Sequence, residues 1–221
     1  MNNKVLYTAI FDNKDKVKIH DYINEDFDYM LFVDEATFEA QKNNIISSNW
    51  KVTVLPNSDN PRLAAKEIKI LSHKHVSKYK VSIWVDGSFK QVGDLNDFLS
   101  MSEENFVVMK HPFKVCMYAE AAACGRLEKD NINVINRQVK RYLSEGYPEN
   151  NGLNMGGILL RRKNLKVSLF NNKWWHEINK GSIRDQISFP YVEWKTGMNI
   201  ESVELESTQQ ILANQPHLKN D

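Results

Sequence analysis

Short apolar runs separated by polar or helix-spaced segments recur along the chain. Lys4–Ile10 (KVLYTAI), residues 29–33 (YMLFV) and Lys51–Leu55 (KVTVL) are rich in β-branched and aromatic residues. They predict three strands, the last closed by Pro56. The polar stretch between the second and third, with Asp34, Glu35, Asn43 and Asn44, reads as a loop or short helix. Asn57, Ser58, Asp59 and Asn60 precede Pro61, a turn and N-cap with proline at the first helical position. That helix is expected to run to about His73. Val81–Val85 (VSIWV) is almost wholly apolar, as a central strand covered on both faces would be, and it stops at Asp86-Gly87-Ser88.

The second half continues the alternation. Asp94 opens a short helix with an acid, Asp97, at the third position. Residues 105–110 predict a strand and residues 115–126 an alanine-rich helix. Ile132, Ile135, Val139 and Tyr142 recur at helical spacing until Gly146. A strand over 156–160 and helices over 165–178 and 182–192 follow. From Glu201 the chain is polar and predicts a tail that wraps or frays. The alternation gives the α/β class: one domain over residues 1–200, a mixed sheet flanked by helices, and a polar C-terminal tail over 201–221.

Composition narrows the partners. The 221 residues carry 29 Lys plus Arg against 28 Asp plus Glu, a net charge of +1, so no global field draws the chain to nucleic acid. Contact with phosphate must come from a local cluster. No apolar run approaches the ~20 residues that span a bilayer. Residues 1–5 lack the apolar core of a secretion signal. Two cysteines, Cys116 and Cys124, supply neither a disulfide framework nor a thiolate metal site. A cytoplasmic location is expected. The six histidines, His217 among them, form no H-E-x-x-H pair, and the chain has no G-x-S-x-G elbow and no P-loop.

Four segments carry candidate chemistry. Asp86 ends the most apolar strand, where ligands of open α/β sheets bind. With Ser88 two residues on and facing the same way, it could hold Mn²⁺ or Mg²⁺, which take oxygen ligands and bridge phosphates; equally, Asp-Gly could simply turn the chain. Arg62, Lys66, Lys69 and His73 share one helical stripe that could neutralise a diphosphate, or form a solvated basic face. Gly156-Gly157 lets a ligand approach the backbone, or only turns into a strand, and Asn154 offers an amide beside it. Ser182 to Asp185 is a capping-box pattern, yet Asp185 and Gln186 together could bind sugar hydroxyls.

Taken in order, YTAIF, RLAAKEIKILSH, SIWVDGS, KHPFKVCMYAEA, YPENNGLNMGGILLRR and WWHEINKGSIRDQISFPYV resemble the glycosyltransferase-like (hexosyltransferase-like) domain family of plants and bacteria. Its plant members include proteins tied to cell-wall and mucilage polysaccharides. The resemblance covers about residues 7–194. It implies a Rossmann-like glycosyltransferase-A fold, in which a nucleotide-sugar sits at the C-terminal edge of the sheet and an Asp-x-Asp turn binds the metal on its diphosphate. Here the matching turn is Asp86-Gly87-Ser88, with serine in the second acid's place. The resemblance places Tyr7, Thr8 and Ala9 near the nucleotide base. It sets Asn154, Gly156, Asp185 and Gln186 facing the sugar, with Asp185, Gln186 and Asn154 as catalytic and Gly157 and Arg184 also binding the donor. Met155 stands where family members often carry an acid.

The implied reaction moves a sugar from a UDP- or GDP-sugar to a glycan or other hydroxyl acceptor. A metal-dependent hydrolase of a phosphate or glycosidic bond, and a lapsed sugar-binding protein of the same fold, are the alternatives.

Overall fold

The computed structural model describes residues 2–215. Strand β1 (Lys4–Ile10) leads through a long loop to β2 (Phe27–Asp34). Asp34 then caps α1 (Glu35–Ile46), its Oδ1 accepting from Thr37 N–H at 2.9 Å. The stretch expected as loop or short helix is helical over twelve residues with a kink at Gln41 (φ −119°, ψ 18°), and it buries only Thr37, Gln41 and Ile45. That thin apolar face explains why periodicity did not reveal it. Strand β3 (Lys51–Leu55) and α2 (Pro61–Ile70) follow, with Asn60 Oδ1 capping Leu63 N–H at 3.1 Å. The helix breaks at Leu71 (φ −89°, ψ 47°), and a single turn, α3 (Ser72–His75), continues on a new axis. The stripe expected to run from Arg62 to His73 is cut there.

Next come β4 (Val81–Val85), β5 (Phe89–Gln91), α4 (Leu95–Ser100), β6 (Phe106–Lys110), α5 (Met117–Arg126) and α6 (Ile132–Ser144). Strand β7 (Asn154–Arg162) is longer than its apolar centre suggested, because Asn154, Met155 and the two arginines also pair, with the register to β6 shifting between Met155 and Leu159. Helix α7 (Leu165–Lys180) is followed by α8 (Asp185–Thr196), which begins at Asp185 rather than at Ser182. The C-terminal segment wraps. β8 (Glu201–Val203) pairs parallel with β6, α9 (Leu205–Thr208) turns the chain, and β9 (Leu212–Asn214) pairs with β5. Residues 216–221, with His217, lie outside the described residues.

The main sheet has seven strands in the order β3-β2-β1-β4-β7-β6-β8. Strands β3, β2, β1 and β4 are parallel, and β7 is antiparallel to β4 and β6. The mixed sheet flanked by helices matches the expected α/β class. One face packs Trp84 and Phe106 in a cluster with Ile70 of α2 and with Phe170, Trp174 and Phe189 of α7 and α8. The other buries Leu31, Ile83 and Val85 against Ile45 of α1 and Phe98 of α4. After β1 the chain builds outward to β2 and β3, then returns to add β4 on the other side. The crevice at the carboxyl ends of β1 and β4 is thus a topological switch point.

Candidate active site

A cleft of about 430 Å³ opens at that switch point. Its walls come from Ala9 and Ile10 at the end of β1, Trp84 and Asp86 at the end of β4, and Arg62 and Lys66 of α2. Side chains on a helix tilt toward its N-terminus. Helix α2 starts at the cleft, so Lys66 and Lys69 reach back into it. Gly156 enters from β7, and Asp185 arrives on the first turn of α8, where the helix dipole favours a carboxylate.

Four charges meet at the floor. Asp185 Oδ2 lies 2.7 Å from Lys66 Nζ and 2.6 Å from Lys69 Nζ, and Lys69 Nζ also lies 3.1 Å from Asp86 Oδ1. The two lysine contacts with Asp185 are close ion contacts rather than hydrogen bonds of regular angle. Asp185 and Lys69 are buried, whereas the Asp86 side chain is 41% exposed and faces the cleft. Burial alone would push the Asp185 carboxyl up; the ammonium groups of Lys66 and Lys69 outweigh it and hold the carboxyl well below the usual range. Burial pushes Lys66 down to about 8 against the pull of Asp185. Burial works the same way on Lys69, but two carboxylates reverse it and its pKa is raised. Asp185 is therefore a permanent anion, unsuited to donate a proton, and Lys69 a permanent cation.

The surroundings fix this geometry. Trp84 Nε1 donates to Asp86 Oδ1 at 2.7 Å, so an indole and an ammonium share one carboxylate oxygen. A Cβ on Gly156 would lie 2.9 Å from both Asp185 Oδ2 and Lys69 Nζ, so the residue must be glycine for the charges to close. Beneath, Arg161 Nη1 donates to the Lys69 carbonyl at 2.9 Å and to Tyr7 Oη at 3.0 Å, anchoring the end of α2.

The donor set does not fit a metal centre built by the protein. Asp86 Oδ1 is already taken by Lys69 and Trp84. Ser88 does not face the same way: Phe89 N–H closes a turn onto the Asp86 carbonyl, strand alternation ends there, and Ser88 is buried away from the cleft lining. Among the described residues no three His, Cys, Asp or Glu side chains are grouped to hold a metal ion. The expectation of Mn²⁺ or Mg²⁺ on Asp86 and Ser88 therefore meets a single, ion-paired carboxylate.

The model of the TOD1/MUCI70 glycosyltransferase-like domain matches residues 2–217. The chain belongs to that family. It is 32% identical over 219 residues to a protein of Arabidopsis thaliana named probable hexosyltransferase MUCI70, covering 86% of this chain and 37% of that protein. It is 25% identical to the same plant's alkaline ceramidase TOD1, covering 91% of this chain and 51% of the relative. The chain thus spans between a third and about half of these relatives. Mouse xyloside xylosyltransferase 1 shares the fold at a TM-score of 0.50 and 10% identity, covering 92% of this chain and 85% of that one. The bifunctional glycosyltransferase WbbM does so at 0.50 and 11%, covering 93% and 39%.

Within this TOD1/MUCI70 domain, the structure gathers Lys66, Lys69, Asp86, Gly156 and Asp185, with Ala9, Gly87, Arg62 and Arg184 around the same cleft. Gly87 is needed because a Cβ would meet the Asp15 side chain at 2.9 Å. Asp185 is no cap: α8 has no side-chain cap bond, and Ser182 Oγ donates to Asp130 instead. Asn154 and Gln186 adjoin Asp185 on the inner side, Gln186 Nε2 donating to the Asn154 carbonyl at 3.4 Å and Ser202 Oγ donating to Asn154 Oδ1.

Other expected residues lie elsewhere. Tyr7 is fully buried beneath the site as a support, and Thr8 is buried on the other face of β1. Gly157 packs under Phe89, and its carbonyl accepts from Asp86 N–H at 2.8 Å. Met155 packs with the apolar cluster on the opposite face from Asp185. His73 leaves the stripe at the Leu71 break and faces Asn172. Sequence reasoning passed over Asp12, Lys14 and Asp15 on the cleft wall. Their signal was available: they follow β1 directly at its carboxyl end, where sheet ligands bind.

Proposed function

We propose that this chain is a nucleotide-sugar-dependent glycosyltransferase, taking a UDP- or GDP-sugar and passing the sugar to a glycan or small hydroxyl acceptor. The observation that carries the reading is the buried Asp185 carboxylate, held between Lys66 and Lys69 at the switch-point cleft. In the reaction the bond from the anomeric carbon to the diphosphate oxygen breaks. A new bond to the acceptor oxygen forms, and the hydroxyl proton leaves for the departing diphosphate or solvent. Lys66, Lys69, Arg62 and Arg184 supply positive charge where the leaving diphosphate gathers negative charge. Asp185, always ionised, steadies positive charge at the anomeric carbon. Asn154 and Gln186 orient hydroxyls beside it. The family membership and the shared glycosyltransferase fold support the same reading. The free thiols Cys116 and Cys124 suit a reducing compartment such as the cytoplasm.

Calorimetric titration with UDP and GDP, followed by donor turnover with and without hydroxyl acceptors, tests it. Saturable nucleotide binding and acceptor-dependent sugar transfer are expected. Release of free sugar that no acceptor accelerates, or cleavage of a ceramide amide with no nucleotide bound, would replace transfer with hydrolysis. Binding without turnover would make the chain a lapsed member of the fold.

A further inference from the structure

Arg161 is one of the largest fully buried side chains of the protein, at 2% exposure, and no carboxylate among the described residues pairs with it. Its Nη1 serves Tyr7 and the Lys69 carbonyl, while Nε and Nη2 are buried with no hydrogen-bond partner. Phe106 lies under the guanidinium, 4.9 Å from ring centroid to Cζ. A guanidinium cannot shed its charge. A buried cation without a counter-charge is costly, and such a group asks for an anion.

The space for one is present. Arg161 lines a cavity of about 230 Å³ near the start of β4 and the end of β7, at the opposite end of β4 from the cleft. Lys80, Arg162, Lys163 and His73 also line it, with hydroxyls from Ser72, Ser77 and Ser168. No Asp or Glu is among its lining residues. Arg162 donates to the carbonyls of Leu99, Ser102 and Glu104, while Lys80 and Lys163 stand exposed at the rim, Lys163 Nζ donating to the Ser77 carbonyl at 2.8 Å. His73 Nδ1 is buried without a partner. The composition is therefore a one-signed, donor-rich hollow over an unpaired guanidinium.

We propose that this cavity is a second binding site, for a phosphate-type oxyanion, separate from the cleft at Asp86. Arg161 forms its floor, Lys80 and Lys163 draw the anion in, and the serine hydroxyls supply neutral donors. Charge-assisted bonds to guanidinium and ammonium groups are the interactions that recognise phosphate. Through Nη1 the same guanidinium holds the Lys69 carbonyl, so the cavity floor and the cleft lysine share one side chain.

Histidine ¹³Cε1 NMR of the full chain during titration with inorganic phosphate is the test, because His73 reports on this cavity and not on the cleft. A saturable shift of the His73 resonance, with exposed His176 unmoved, is expected. Arg161→Gln should abolish the shift. Should that variant fail to fold, Lys80→Glu with Lys163→Glu keeps the core intact and should weaken phosphate by tenfold or more. A sugar monophosphate titrated in parallel separates the sources: tighter binding than inorganic phosphate assigns the site to an organic phosphate, weaker binding to the free ion. No saturable His73 shift, or one that both the buried and the rim variants retain, overturns the proposal. A linear drift shared by His176 means an adventitious ion only and also overturns it.

Discussion

Lys69 Nζ lies 2.6 Å from Asp185 Oδ2 although the two residues are more than a hundred positions apart, one near the end of α2 and the other at the start of α8. Neither charge could be buried alone. Removing one partner of a buried pair leaves the other uncompensated, at a cost of about 3–5 kcal/mol. Asp185→Asn keeps the shape and removes the charge that Lys66 and Lys69 share. Thermal or urea unfolding should show a loss of a few kcal/mol, larger than the roughly 1 kcal/mol of a lost cap. Saturating nucleotide should restore part of it, because the diphosphate replaces the missing anion. Transfer per folded molecule should fall by about 100-fold or more. A variant with wild-type stability and wild-type rate would show that the contact does nothing.

Gly156 is where the backbone makes room for that contact. Gly156→Ala places a methyl 2.9 Å from Asp185 Oδ2 and Lys69 Nζ. The lysine tip can swing away, but the short, buried carboxylate cannot. Turnover should fall at least tenfold while the far-ultraviolet spectrum stays native. Gly197→Ala makes a useful control, because it sits at a positive φ of 60° with nothing within 4 Å of the added carbon. It should cost stability, about 1 kcal/mol, without touching turnover. An active Gly156→Ala variant would mean that the ion cluster tolerates opening.

Much of the fold could be read from the chain because its strands are apolar runs bounded by turn residues. Lys51–Leu55 and Val81–Val85 stand where periodicity puts them. Asn60 and Pro61 start α2 as their chemistry demands. Helix α1 was hidden because it lies on the surface and buries one small polar, one amide and one apolar side chain. The break at Leu71 has no proline or glycine to announce it, so His73 was assigned to a stripe that the backbone does not continue. Ser88 illustrates the same limit at a strand end, where alternation stops and a turn decides direction. The charge pairs of the site join distant elements. Local pattern supplied the residues Lys66, Lys69, Asp86 and Asp185 but not their partners, and on its own it favoured capping as the role of Asp185.

Asp86 separates two ways of holding a diphosphate. Its Oδ1 is engaged by Lys69 at 3.1 Å and Trp84 at 2.7 Å, and Ser88 is turned away. Lysines and arginines then carry the phosphate charge. UDP affinity should change less than threefold when a chelator is added, and should weaken at least tenfold in Lys69→Met. Asp86→Ala should leave the fold intact and change nucleotide affinity equally with and without Mn²⁺. A chelator that abolishes binding, with rescue by Mn²⁺ in the wild type only, would restore Asp86 to the role of a metal ligand.

Lys66 provides a pH signature with two opposite slopes. Its ammonium is pushed down from the ordinary lysine value to about 8 by burial. The unfolded chain keeps that proton to about 10.4. Between these limits the unfolded state binds more protons than the folded one, so stability from this residue rises with pH, by an amount of order 3 kcal/mol. The contribution is complete above the unfolded value and is lost as pH falls through about 8. Nucleotide binding runs the other way. A diphosphate needs the charged form, so affinity should drop about tenfold for each pH unit above 8, as binding takes up one proton. Lys66→Arg holds its charge throughout this range. In that variant the decline in affinity should flatten and the alkaline gain in stability should vanish. Calorimetry at pH 7, 8, 9 and 10, paired with urea midpoints at the same values, measures both slopes. Parallel loss of affinity and stability in the wild type would point to general alkaline unfolding and would remove Lys66 from the diphosphate site.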